Sequence, residues 1–168
     1  MRSSELLADC VDRVREQVPG IVEGLDEEAL AWRPDPDANS IAWLVWHMSR
    51  IEDDHIAGVA GTEQAWTQGW ADRFGLPFPE ADHGFGHTSE QVGRVRATAE
   101  LLAGYHAEVA DRATAYVATV TDDDLDRVVD THWDPPVTLG VRLVSVVCEI
   151  NEHVGQAAYL RGLLDRRG

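Results

Sequence analysis

The chain is predicted to be an all-α, four-helix bundle with long crossover connections. Four stretches of roughly 20–30 residues carry apolar side chains at spacings of three and four, the period of a helix with one buried face. No stretch shows the strict alternation of a half-buried strand. Connections of roughly 15–30 residues separate the long stretches, more than a plain up-down bundle needs. At 168 residues, one domain spanning 1–168 is expected, with enough chain to bury a sizeable core.

Residues 3–24 place Leu6, Leu7, Cys10, Val14, Val18, Ile21 and Val22 at helical spacing, and Pro19 is expected to kink this helix or end it early. GLDEEALAWRP reads as a short helical turn capped by Asp26 and stopped before Pro34. PDPDANS is a loop, and Asn39 or Ser40 is placed to cap the next helix, about 40–60, which holds Ile41, Trp43, Leu44, His47, Ile51 and Ile56. TEQAWTQGWADRFG is expected to form a short helix. LPFPEADHGFGH, rich in Pro, Gly and His, reads as a long loop of the kind that serves function or forms lids. Thr88 and Gln91 make a capping-box pattern opening a third long helix, about 89–120. TDDDLDRVVDTHWDPPVT then predicts a short helix, an extended piece and a Pro-Pro stop. Thr138 caps a fourth long helix, about 139–165.

The charge narrows the function classes. All 14 basic residues are arginine, against 30 acids, for a formal net charge of −16. Nucleic-acid binding needs a basic surface and is disfavoured, as is adhesion to an anionic membrane. No apolar run is long enough to span a bilayer. MRSSELLADCVDRV carries charges where a signal peptide has its apolar core, so a cytoplasmic location is expected. Cys10 and Cys148 lie in apolar runs without a close partner and are expected to be reduced, buried thiols.

Three side chains stand out as metal-capable. Glu149 and His153 are four apart on the fourth helix and so share one face. His47 follows Trp43, Leu44, Val45 and Trp46 on the second long helix, a poor place for a solvated side chain. Two imidazole nitrogens and one carboxylate oxygen fill three corners of a tetrahedral zinc site and leave a fourth open for chemistry. VRLVSVVCEI, just before the pair, is almost wholly apolar, and a buried carboxylate is costly unless paired or metal-bound. The plain alternatives are a solvated Glu-His pair and a core His47 bonded to a backbone carbonyl; the residues alone leave the choice open.

Other residues rank lower. Gln156, three beyond His153, is placed to adjoin the metal face, whereas Asn151 and Glu152 point elsewhere. His55 lies eight residues after His47 in a more polar setting. His83 and His87 flank HGFGH and are placed to touch a substrate, or His87 simply precedes the Thr88 cap; His106 and His132 lack partners at ligand spacing, and each of these histidines is expected to be structural or solvated rather than catalytic. Tyr159 and Arg161 brace the bundle or bind an anion. Trp43, Trp46, Trp66, Trp70 and Trp133 either pack or line an apolar pocket.

These landmarks resemble the DinB/YfiT-like superfamily of metalloproteins, and within it the actinobacterial mycothiol-transferase-like branch. The resemblance runs over nearly the whole chain, through LDEEALAWRPDPDANSIAWLVWHMSRIEDDHI, GFGHTSEQV and, most specifically, EINEHVGQAAYLRGLLD. It implies a divalent metal, zinc or nickel, held by His47 of helix two and by Glu149 and His153 of helix four. Many relatives have histidine where this chain has Glu149; the glutamate form is similar to that of mycothiol-dependent maleylpyruvate isomerase, whose large second domain is not expected here. The implied function is a metal-dependent transferase conjugating a small thiol, mycothiol, to an electrophile, with neither nucleic acid nor membrane as partner and with a homodimer paired through helix faces. The rival expectations are a non-catalytic metal- or ligand-binding protein linked to stress, and a metal-dependent hydrolase or isomerase.

Overall fold

The computed structural model describes residues 1–167. α1 (Ser3–Val22) runs through Pro19 rather than stopping there, and the Pro19 carbonyl still accepts the Glu23 N–H at 2.9 Å. Val11, Val14, Val18, Ile21 and Val22 form its buried face; Leu6, expected inside, is 53 % exposed. α2 (Glu27–Leu30) is capped by Asp26, whose carboxylate accepts the Ala29 N–H at 2.8 Å. α3 (Ile41–Ala60) is capped by Ser40, whose hydroxyl accepts the Trp43 N–H, and closes on Gly61 in the left-handed region at φ +70°. A 3₁₀ turn at Trp66–Gln68 and α4 (Trp70–Phe74) follow, then the loop to Thr88.

The expected long helix 89–120 is two helices. α5 (Ser89–Gly93) begins with the Thr88–Gln91 capping box, and α6 (Ala99–Val117) has its own cap at Thr98, which accepts the Leu101 N–H at 3.3 Å. The residues between leave the helical path while burying Val95 and Ala97. A second 3₁₀ turn, Asp122–Asp126, leads into β1 (Val128–Asp130), which pairs antiparallel with β2 (Val137–Thr138). The extended piece of the sequence is thus one arm of a small hairpin. α7 (Leu139–Arg167) completes the chain.

α1 and α3 each pack against both α6 and α7, so α1 and α3 occupy one diagonal of the bundle and α6 and α7 the other. The α1–α3 and α6–α7 connections are therefore crossovers, which is why they are long. The α3–α6 connection joins neighbours, and its extra length goes into covering α3.

That cover has a cost inside. Every residue of α3 from Ile41 to Asp53 is buried, charged ones included. A lone buried charge costs on the order of several kcal/mol, so each needs partners. Arg50 donates to the Gln64 amide oxygen at 2.7 Å and to the Asp82 carbonyl at 3.3 Å, and lies over the Trp66 ring. Asp53 accepts the backbone N–H groups of Ala65 and Trp66 and the Tyr105 hydroxyl, all within 2.9 Å. Both ions fasten the connection onto α3. Glu52 differs: it is fully buried, and neither carboxyl oxygen finds a protein partner among the described residues. Burial pushes its pKa up to about 8, with Asp53 adding to the rise, so it is held protonated. Nearby His106 donates from Nδ1 to the Ser49 hydroxyl, and burial pushes its pKa down to about 4.

These shifts act on stability in opposite directions. The unfolded chain releases the Glu52 proton near 4.5 and the folded chain near 8, so the group's contribution to stability is complete below 4.5 and is lost as pH rises through about 8. His106 contributes the reverse, losing stability as pH falls from 6.5 to about 4. Glu52→Gln keeps the shape of the neutral carboxyl and cannot ionise. Its melting temperature is expected to exceed the parent's at pH 8 and to converge on it near pH 5, as thermal unfolding across pH would show.

Candidate metal centre

His47 projects from α3 towards α7, where the four-residue spacing stacks Glu149 and His153 on one face. One carboxylate oxygen, Glu149 Oε1, lies 3.1 Å from His47 Nε2 and 2.9 Å from His153 Nε2. The three ligand atoms fall within 4.8 Å of one another, forming a candidate His-Glu-His metal site. Around a zinc ion with bonds of ~2.1 Å, neighbouring tetrahedral ligands sit ~3.4 Å apart, and the two nitrogen–oxygen distances of 3.1 and 2.9 Å lie near that spacing.

The outer nitrogens decide what faces inward. His47 Nδ1 meets the backbone carbonyl of His83, which only accepts, so Nδ1 carries the proton and the neutral ring turns a lone pair at Nε2 towards Glu149. His153 Nδ1 likewise donates to the Gln156 amide oxygen at 3.1 Å. In their neutral forms the two rings and the carboxylate aim three lone pairs at one point. Only positive charge relieves that: extra protons on the rings, or a cation. With the extra protons on the rings, hydrogen bonds from His153 and His47 hold the Glu149 carboxyl far below the usual carboxylate range, against the opposing push of burial. Burial alone would lower the His153 pKa, but its bonds to Glu149 and Gln156 outweigh that and raise it. The donor set fits a divalent metal. The site is deep on the α3 side, where the His47 side chain is 5 % exposed, and open on the α7 side, where Glu149 is 30 % exposed.

A second set of contacts fixes His47. The Trp43 ring stacks on it at 4.5 Å and 18°, and meets His153 edge-on at 6.1 Å. Trp43 Nε1–H donates to His87 Nδ1 at 3.2 Å, so His87 carries its proton on Nε2 and gives it to Asp82, 3.1 Å from both carboxylate oxygens. Asp82 also accepts the Gly84 N–H at 2.8 Å. Burial would raise the Asp82 pKa, but the Gly84 and His87 bonds hold it below its ordinary value. Gly84 has φ +90°, and a Cβ there would stand 2.9 Å from Trp46 Cζ3 and 3.0 Å from His47 Nδ1. No side chain fits, and its absence lets the His83 carbonyl reach the imidazole.

The remaining residues sort as follows. Gln156 adjoins the metal face as its spacing predicted, and Asn151 and Glu152 are exposed. His83, through its backbone carbonyl, and His87, through its ring, hold His47 and Trp43 in place, the structural one of their expected roles. His55 turns to Arg142 at 3.4 Å, outside the trio, and His132 is exposed. His106 is buried against Ser49. Arg161 braces the bundle by donating to the Ile21 and Glu23 carbonyls, but Tyr159 is 66 % exposed and braces nothing. Trp43, Trp46, Trp66 and Trp70 are buried; Trp133 is not. Cys148 is exposed and Cys10 half-buried, a correction to the expected buried thiols, because the apolar stretch before Glu149 also leaves Val141 and Val144 facing outward. The Asp82–His87 link and the buried Arg50, Glu52 and Asp53 had no signal in periodicity; the glycines of HGFGH were the available clue.

Two expectations follow for metal binding. Gly84→Ala forces the loop off His47 and is expected to weaken zinc affinity ~10–100-fold in chelator competition, whereas Phe85→Ala, at a ring 83 % exposed, leaves it unchanged. Metal must also displace the proton that His153 retains above the ordinary histidine range. Zinc affinity is therefore expected to fall as pH drops through that raised pKa, by ~tenfold per unit for each proton displaced, in titrations from pH 8 to 5.

Comparison with known proteins agrees with this architecture. The structure superimposes on a crystal structure of a conserved protein from Enterococcus faecalis with a TM-score of 0.90 and 31% sequence identity, covering 98% of each chain. Among curated proteins none matches the chain. Among the described residues, no helix is long and apolar enough to cross a membrane. The family model described as mycothiol-S-transferase matches residues 6–166, and the chain belongs to that family, with its DinB-like helical fold.

Proposed function

We propose that this protein is a metal-dependent S-transferase that conjugates a low-molecular-weight thiol, mycothiol, to an electrophilic carbon. The observation that carries the reading is the convergence of the His47 and His153 Nε2 lone pairs on one Glu149 oxygen. The family match supplies the reaction class. A zinc or nickel ion held by these three groups supplies Lewis acidity that keeps a thiol as thiolate at neutral pH.

The chain's own residues divide the remaining tasks. His47 and His153 are ligands and not proton carriers, because each commits its Nδ1–H to a fixed acceptor. Glu149 contributes a negative charge where a third histidine would contribute none. With a metal held there, that negative charge would lower the net charge of the site and would favour a nucleophilic sulfur over activated water. Trp43 and the His83–His87 segment close the α3 side to water, so that reactants enter past Glu149. With an alkyl halide as the electrophile, conjugation forms one sulfur–carbon bond and breaks the carbon–halogen bond; the halide and the thiol proton leave to solvent.

The test compares conjugation of mycothiol to monochlorobimane by the zinc-loaded protein, the chelated protein and His153→Ala. Chelation and the substitution are each expected to slow the reaction at least ~100-fold, since Lewis-acid stabilisation amounts to several kcal/mol. Equal rates in all three would remove the proposal.

A further inference from the structure

Two ionisable side chains in the middle of the bundle take no part in thiol transfer. Glu52 of α3 is 0 % exposed and His106 of α6 is 1 % exposed. Their helices pack on each other, and Glu52 Oε2 stands 3.9 Å from His106 Nδ1. That is beyond a direct hydrogen bond. The surroundings are apolar. Met48 and Ile56, one turn either side of Glu52, are buried, and so are Leu102 and Ala110, one turn either side of His106. Among the described residues, neither Glu52 oxygen and no group near His106 Nε2 makes a protein hydrogen bond with these atoms. Polar atoms left unbonded in such a setting are costly, so each calls for a partner.

The bonds already made fix what each atom still lacks. The Ser49 hydroxyl gives its proton to the Val45 carbonyl at 2.7 Å, so its oxygen is the acceptor for His106 Nδ1–H at 3.1 Å. Burial keeps the ring neutral, so Nε2 carries a lone pair and needs a donor. Glu52, held protonated by the same burial, offers one O–H and one carbonyl oxygen. A group placed between them must therefore both give and take hydrogen bonds. A divalent metal only takes lone pairs, and a closed site asks for four ligands. Among the described residues, the one grouping of three metal-capable side chains is His47, Glu149 and His153. A monovalent ion of either sign would add another buried charge. Water is neutral, has two donors and two acceptor sites, and bonds such groups inside folded proteins.

We propose that an enclosed water molecule links α3 to α6, accepting the Glu52 O–H and donating to His106 Nε2. With it, the Val45 carbonyl, Ser49, His106 and Glu52 make one continuous polar tie through the core. Ser49 is two residues from His47, so the tie fastens to α6 the same helix that delivers the deep ligand of the trio. A fully bonded polar network of this kind holds two helices in one register more narrowly than apolar contact does.

High-resolution crystals of the zinc-loaded protein, with anomalous data at the zinc edge, test the assignment. The expected result is a solvent peak ~2.6–3.2 Å from both a Glu52 oxygen and His106 Nε2, with an anomalous peak at the trio and none beside Glu52. In solution, oxygen-17 relaxation dispersion counts waters held longer than the molecule tumbles. Glu52→Leu is expected to lose one such water, and Val144→Ala, a change at an exposed site on α7, to lose none. An anomalous peak beside Glu52, a direct bond between Glu52 and His106, or ordered side chains with no solvent peak between them would each overturn the proposal. So would an unchanged count of long-lived waters in a folded Glu52→Leu variant.

Discussion

Two imidazoles and a carboxylate cannot share one point in space without a positive charge among them. That constraint organises this protein. Glu149 and His153 come to the point by helix geometry alone, but His47 must arrive from another helix and be held with its Nε2 inward. The structure does so from behind. The His83 carbonyl takes the Nδ1 proton, Trp43 covers the ring face, and Asp82 and His87 lock both to the loop.

The same demand accounts for the unusual burial of α3. A helix carrying a deeply set ligand must be covered on its outer side as well as its inner one, and the long α3–α6 connection is that cover. Arg50 and Asp53 are the means of attachment. They bury their charges against carbonyls, N–H groups and the Tyr105 hydroxyl, so the cover is held by directional bonds and not by apolar contact alone. Glu52, without such partners, stays neutral at physiological pH, the other way a buried acid is tolerated.

Local rules on the sequence determined the four-helix class, the caps at Asp26, Ser40, Thr88 and Thr138, the shared face of Glu149 and His153, and Gln156 beside it. Each depends on neighbours within a few residues, which periodicity and capping chemistry report directly. His47 could be named from its apolar setting, and its two ring nitrogens divide between the two readings of it: one bonds a backbone carbonyl and the other faces Glu149 in the candidate metal trio. The break between α5 and α6, the pairing of β1 with β2, the exposure of Cys148 and the roles of Asp82, Gly84 and His87 were decided only in three dimensions. The roles of Gly84 and His87 depend on groups far apart in the chain meeting across packed surfaces, as Trp43 and His87 do 44 residues apart. No one-dimensional spacing carries that information, because whether a polar side chain is exposed, paired or coordinating is settled by what the rest of the fold lays against it.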